Sequence, residues 1–281
     1  VNFIVQLYFG FSETVHSYSS PSFGRKVMNT PILILFFNRQ ENVLELIDAL
    51  SKFRPPIIFL ASDGGRTAIE HKKVCQIRIK VLQSINWDCE VHEKFNETNL
   101  GCKYAVHSAI QWFFGSVSQG IVLEDDCIPT EAFFIYAEKM LDIYKDINEV
   151  ATISGRNEVA GFDKNKPIFC SKFFCWGWAS WSHKIQNIDV ETGYEKVSLL
   201  PLIVDAGYYE AQHLKGLQSL MLCGQVNSWA YSYDFAFRKQ KKLHLIPPVN
   251  YITNIAIGSG THISGQKKSD LPAIDQVVMP D

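Results

Sequence analysis

Gly120-Ile121-Val122-Leu123-Glu124-Asp125-Asp126 is a short apolar run that ends in three consecutive acids. An uninterrupted apolar stretch of this length reads as a fully buried strand, the kind parallel sheets use. The acids then stand at the carboxyl end of a strand, where open α/β sheets bind their ligands. Three neighbouring carboxylates repel one another, and their pKa values rise unless a cation or solvent compensates. One reading of the triplet is a solvated acidic turn. The other is a seat for a hard divalent cation, Mg2+ or Mn2+, which takes carboxylate oxygens and leaves room for phosphate oxygens and water.

Working outward, the same pattern recurs upstream. Residues 32–37 form a continuous apolar run that ends in Asn38-Arg39, and 57–61 form another that ends in Ser62-Asp63-Gly64-Gly65. Between them Val43, Leu46, Ile47 and Leu50 recur at helical spacing, and Pro55-Pro56 closes that helix. The spacing predicts helices over 68–85, 102–114 and 133–144, and strands at 90–95 and 150–153. Such alternation implies an α/β fold, a mixed but mostly parallel central sheet flanked by helices. Arg39, Asp63 and the Asp125-Asp126 pair all fall at strand ends of the ligand-binding type.

Past about residue 155 the pattern changes. Residues 173–181 are dense in Trp, Phe and Gly, two helical stretches follow over 199–208 and 209–223, and 243–257 read as short strand and turn. No internal repeat or low-complexity linker separates the halves. We therefore expect one domain over 28–281, with a nucleotide-binding half at 28–155 and an acceptor-binding half at 156–281. Residues 1–27 are rich in Ser and aromatics without clear periodicity, and read as a flexible or non-native extension ahead of Met28.

Composition narrows the classes. The chain has 281 residues, 47% hydrophobic and 20% charged, with a net charge of −2 and no basic stripe, so a nucleic-acid partner is not expected. Seven cysteines, none at C-x-x-C spacing, read as reduced thiols and hence a cytoplasmic protein. No apolar run reaches the roughly 20 residues of a membrane helix. Peripheral attachment at the inner membrane face stays open.

The segment from Gly120 to Cys127 resembles the acidic metal-binding motif of GT-A glycosyltransferases. The chain looks like bacterial nucleotide-diphospho-sugar transferases of the family-2-like group. It is more distantly similar to the N-acetylglucosaminyltransferase that initiates hybrid N-glycans. The resemblance runs from about Thr30 to Gly265 and implies a GT-A type fold. It also implies a UDP-sugar donor, Mn2+ or Mg2+, and a glycan or lipid-linked glycan acceptor of bacterial surface polysaccharide synthesis.

Carried over by residue, the resemblance gives Arg39 a hold on the nucleotide and Asp63 the uracil imide. It gives Asp125 the ribose and metal region and Asp126 the metal, with Glu124 structural. Asn99-Leu100-Gly101-Cys102-Lys103 resembles the family's segment before the acidic strand, with Gly101 allowing close backbone approach and Lys103 reaching the phosphates. The Trp176, Trp178 and Trp181 segment resembles an aromatic loop beside the acceptor. Asp234, four residues before Arg238, is the expected general base for inverting transfer, with Asp205 as a competitor. His262 is expected at the metal or phosphate. A sugar-nucleotide-forming nucleotidyltransferase is the rival reading, but Asn38-Arg39-Gln40-Glu41 lacks the glycine-rich loop such enzymes carry after the first strand. A carbohydrate-binding protein without activity is the other.

Overall fold

The structure is a computed structural model that describes residues 29–158, 166–191, 194–195 and 198–256. In chain order the elements are β1 (Ile32–Phe36), α1 (Gln40–Ser51), β2 (Ile57–Ser62), α2 (Ala68–Ser84), β3 (Glu90–Phe95), α3 (Cys102–Ser116), β4 (Gln119–Glu124), β5 (Cys127–Pro129) and α4 (Glu131–Tyr144). They continue with β6 (Val150–Ser154), β7 (Ile168–Cys170), β8 (Trp178–Trp181), α5 (Ser182–Ile185), α6 (Leu199–Ala206), α7 (Tyr208–Leu222), α8 (Trp229–Lys239), β9 (Leu243–Ile246) and β10 (Ile252–Asn254).

Eight strands form one sheet in the order β3-β2-β1-β4-β8-β6-β9-β7. β1 pairs in parallel with both β2 and β4, and β2 with β3. β8 is antiparallel to β4 and β6, and β7 to β9. The sheet is thus mixed and mostly parallel, as expected, with strands from both halves of the chain. β5 and β10 form a separate antiparallel ribbon beside the acidic strand end.

Alternation along the strands explains the layers. Ile32, Ile34, Ile58, Leu60, Ile121 and Leu123 face a core closed by α1, α2 and α4. Leu33, Leu35, Phe59 and Val122 face a second core closed by α3, α5 and α8. Both faces are covered, which is why these strands read as continuous apolar runs. From β1 the chain winds through β2 to β3 on one side, then crosses back to β4 on the other. The carboxyl ends of β1 and β4 therefore flank a topological switch point, where such sheets open a crevice.

The Trp-rich stretch corrects an expectation. Trp178 and Trp181 are not on a loop. They lie in β8, between β4 and β6, at 0% and 2% exposure. Trp178 stacks on Phe114 in the second core, and Trp181 donates its indole N–H to Leu141 O at 3.0 Å beneath α4. Neither ring has a face to offer a sugar. Among the described residues no helix is long and apolar enough to cross a membrane.

Candidate active site

A cavity of about 290 Å³ opens at the carboxyl ends of β1, β2, β3 and β4 and is closed on one side by the first turns of α3. Its inner wall includes Leu35, Ala61, Ala105, Val106 and Ala109, and its polar lining includes Arg39, Asp63, Arg66, Lys94, Asn96, Asn99, Glu124 and Asp125. That volume is at the lower end of small-ligand sites, and the pairing of an apolar wall with a few convergent polar groups is their usual make-up.

At the β2 end, Asp63 organises the wall of this cavity. Its carboxylate accepts from the backbone N–H groups of Gly64, Leu100 and Gly101 and from the side-chain amides of Asn96 and Asn99, at 2.9 to 3.1 Å. An ionised carboxylate offers about four lone-pair sites, so these donors use its capacity. Asp63 lines the cavity, and its oxygens hold the loop into α3. Gly101 takes φ of 79°, a conformation that favours glycine, and a side chain there would meet nothing within 4 Å. The glycine serves the backbone turn, and Gly101 itself lines the cavity.

Sequence reasoning missed the partner of this loop. Arg78, buried in α2, donates to the carbonyls of Ser62, Asp63 and Asn96 at 2.8 to 3.1 Å and to Ser62 Oγ at 3.2 Å. The signal was present, because Arg78 sits on the apolar stripe of Val74, Ile77 and Val81. Glu70 was also missed. Thr67 caps α2 by accepting from Glu70 N–H, and the Glu70 carboxylate gathers Asn38 and Arg66 at the rim. These bonds hold its pKa down at about 2, the Arg66 side chain being the largest cause.

At the β1 and β4 ends, Arg39 forks across the acidic pair. Its Nη1 donates to Asp126 Oδ2 at 2.9 Å and its Nη2 to Asp125 Oδ1. Burial pushes the Glu124 carboxyl up to about 8, with Asp126 and Asp125 adding repulsion. Burial likewise pushes Asp125 up to about 7, against the pull of Arg39. Asp125 and Asp126 thus share one guanidinium, and the repulsion among the three acids is relieved in part by protons that Glu124 and Asp125 hold near neutral pH.

Asp126 keeps Oδ1, which meets only the Cys127 thiol at 3.5 Å among the described residues. No group of three or more His, Cys, Asp or Glu side chains among the described residues forms a complete cage for a metal. A small divalent ion does not require one, since one or two carboxylates plus phosphate oxygens and water suffice. Asp126 with Asp125 fits that donor set.

Other expected residues lie elsewhere. Lys103 is buried beside the Tyr104 and Tyr194 rings, 3.6 Å from Glu191, and does not line the cavity. The cations that line it are Arg39, Arg66 and Lys94. Asp234 is buried in α8, with Oδ1 accepting from Phe173 N–H at 2.7 Å and Oδ2 from Arg238 Nε at 2.8 Å. Both oxygens are engaged away from the cavity, so the geometry makes Asp234 a structural anchor and does not bring it to the site expected of a base. Trp176 is partly exposed beside the first core, with the Arg156 guanidinium 5.1 Å from its ring centre. His262, the side chain of Asp205 and the 1–27 extension lie outside the described residues.

No family model and no curated protein matches the chain. Among solved structures, a mannosyltransferase from Pyrobaculum calidifontis in complex with GDP-Man and Mn2+ has a TM-score of 0.41 at 10% identity, over 76% of this chain and 69% of that one. A UDP-glucose pyrophosphorylase complexed with UDP-glucose has a TM-score of 0.38 at 7% identity, over 78% of this chain and 90% of that one.

Proposed function

We propose that this chain is a glycosyltransferase that moves a sugar from a nucleotide-diphosphate donor, UDP-sugar first among the candidates, to an acceptor hydroxyl. The observation that carries this reading is the order of groups along the cavity. Across β3, β2, β1 and β4 it presents Lys94 and Asn96, then Asp63, then Arg39, then Glu124 and Asp125. Neighbouring strands lie about 4.8 Å apart, so this row spans about 14 Å. A nucleoside fits along its apolar wall, with its diphosphate over Arg39 and the acidic pair.

In this arrangement Asp63 and Arg78 hold the loops that shape the nucleoside end. Arg39 and Arg66 supply positive charge toward the phosphates. Asp126, with Asp125, would hold Mn2+ or Mg2+, which offsets charge on the departing diphosphate when bound. Exclusion of water by Leu35, Val106 and Ala109 strengthens these electrostatic contacts. Attack by the acceptor oxygen opposite the diphosphate gives inversion. The acceptor class we propose is a glycan or lipid-linked glycan, as in bacterial surface polysaccharide synthesis.

A panel of UDP-sugars and GDP-mannose, incubated with the chain and Mn2+, tests this reading through release of free nucleoside diphosphate. Release that depends on metal and on one donor supports it. Pyrophosphate formed from a nucleoside triphosphate and a sugar 1-phosphate, without diphosphate release from any donor, would make the chain a nucleotidyltransferase instead.

A further inference from the structure

We infer that Glu158, held by an Arg156 guanidinium that lies over the Trp176 ring, is the carboxylate that takes the proton from the attacking hydroxyl, an inference that rests on the glycosyl-transfer reading above. Val122, Trp178 and Ser154 are partners across β4, β8 and β6. Gly155 N–H donates to Gly177 O at 2.8 Å, which carries that register one residue beyond. Two residues past the three partners come Glu124, Trp176 and Arg156. With strands about 4.8 Å apart, Arg156 leaves the sheet about 10 Å from Glu124, and Trp176 lies between them.

The β5–β10 ribbon closes the other side. Arg156 Nη1 donates to Ile252 O at 3.1 Å, Ile252 pairs with Pro129, and Ile255 N–H donates to Asp126 O at 2.9 Å. One short strand therefore ties Arg156 to the acidic corner.

Arg156 is 1% exposed, and burying a guanidinium costs free energy unless it is well paired. Its Nε donates to Glu158 Oε1 at 3.1 Å, while Glu158 remains 37% exposed. The other Glu158 oxygen has no partner among the described residues. Among the described residues Glu158 is thus oriented through one oxygen and keeps the other, whereas both oxygens of Asp234 are engaged. In the step, Glu158 Oε2 takes the hydroxyl proton and the acceptor oxygen bonds the anomeric carbon. The bond from that carbon to the diphosphate breaks, and its electron pair leaves on the diphosphate oxygen.

Water can serve as acceptor, so metal-dependent hydrolysis of UDP-glucose and UDP-N-acetylglucosamine reads this step. Glu158→Gln should slow hydrolysis by about 100-fold or more, the usual worth of a positioned base, with UDP affinity in calorimetry within about twofold of wild type. Added formate should restore hydrolysis to Glu158→Ala, which a merely structural role would not permit. Hydrolysis by Glu158→Gln within about threefold of wild type overturns the inference. A second measurement needs no turnover. Methyl glycosides should bind the wild-type UDP–Mn2+ complex in saturation-transfer NMR and bind the Glu158→Ala complex more weakly. Equal binding, or none to wild type, also overturns it. Wild-type chain that takes up no UDP in the presence of Mn2+ would instead overturn the nucleotide reading beneath it.

Discussion

At the scale of single residues, Asp63 shows how a carboxylate at a strand end can shape a cavity by gathering the donors of a distant loop. Asp63→Ala leaves the buried donors of Gly64, Leu100 and Gly101 without their acceptor. Urea unfolding should show a loss of about 2–4 kcal/mol, the range for stranding several donors of a buried charge. The strand-end position of Asp63 was legible from Ser62-Asp63-Gly64-Gly65. Its donors were not, because Asn96, Asn99 and Gly101 reach it from more than thirty residues away in sequence.

His244 gives a residue-scale pH dependence. It is fully buried against Phe173 and Phe237, and its Nδ1 pairs with Thr152 Oγ1 at 2.7 Å. Burial lowers its pKa to about 3, with Arg238 adding repulsion. The unfolded chain then takes up a proton below about pH 6.5 that the folded chain refuses, so stability falls as pH drops from there toward 3. Between pH 6.5 and 5 this side chain should contribute a loss of about 2 kcal/mol. The Thr152→Val/His244→Phe double variant, which removes both polar partners, should lack that part of the dependence in paired urea melts.

Elements differ in how plainly the sequence announces them. β1, β2 and β4, the helices between them and the α6–α7 pair follow the periodicity closely. β8 does not. A strand buried on both faces has no alternation, and the Trp176-Gly177-Trp178 stretch that leads into it reads equally well as a loop. α8 was also hidden, although the Asp234–Arg238 spacing is that of a helical ion pair. These placements separate three substitutions. Trp178→Ala should cost about 3–5 kcal/mol by emptying a core, and Asp234→Ala a similar amount by leaving Arg238 in the interior without its carboxylate. Trp176→Ala, at a partly exposed ring, should cost less in the same unfolding experiment while weakening glycoside binding. Comparable losses from Trp176→Ala and Trp178→Ala would contradict the burial described.

At the scale of the molecule, function follows from the winding of the sheet. Reversal of strand order at β1 opens the crevice, and the carboxyl ends of β1 and β4 bring Arg39 to Asp125 and Asp126 across about ninety residues of chain. The sequence told which residues stand at strand ends, since apolar runs end where polar ones begin. Which ends adjoin depends on strand order, and strand order leaves no local mark. The misplaced Lys103 and Asp234 share that cause, because a helix face is fixed by packing against other elements rather than by its own residue types.

The central claim is that the 125–126 carboxylates hold a divalent ion against a nucleoside diphosphate. Titration calorimetry of UDP into the chain, with Mn2+ and with EDTA, tests it directly when repeated on Asp125→Ala/Asp126→Ala. The account predicts saturable heat that appears only with Mn2+ and vanishes in the double variant. UDP binding of equal affinity in EDTA, or retained by the double variant with Mn2+, would contradict it.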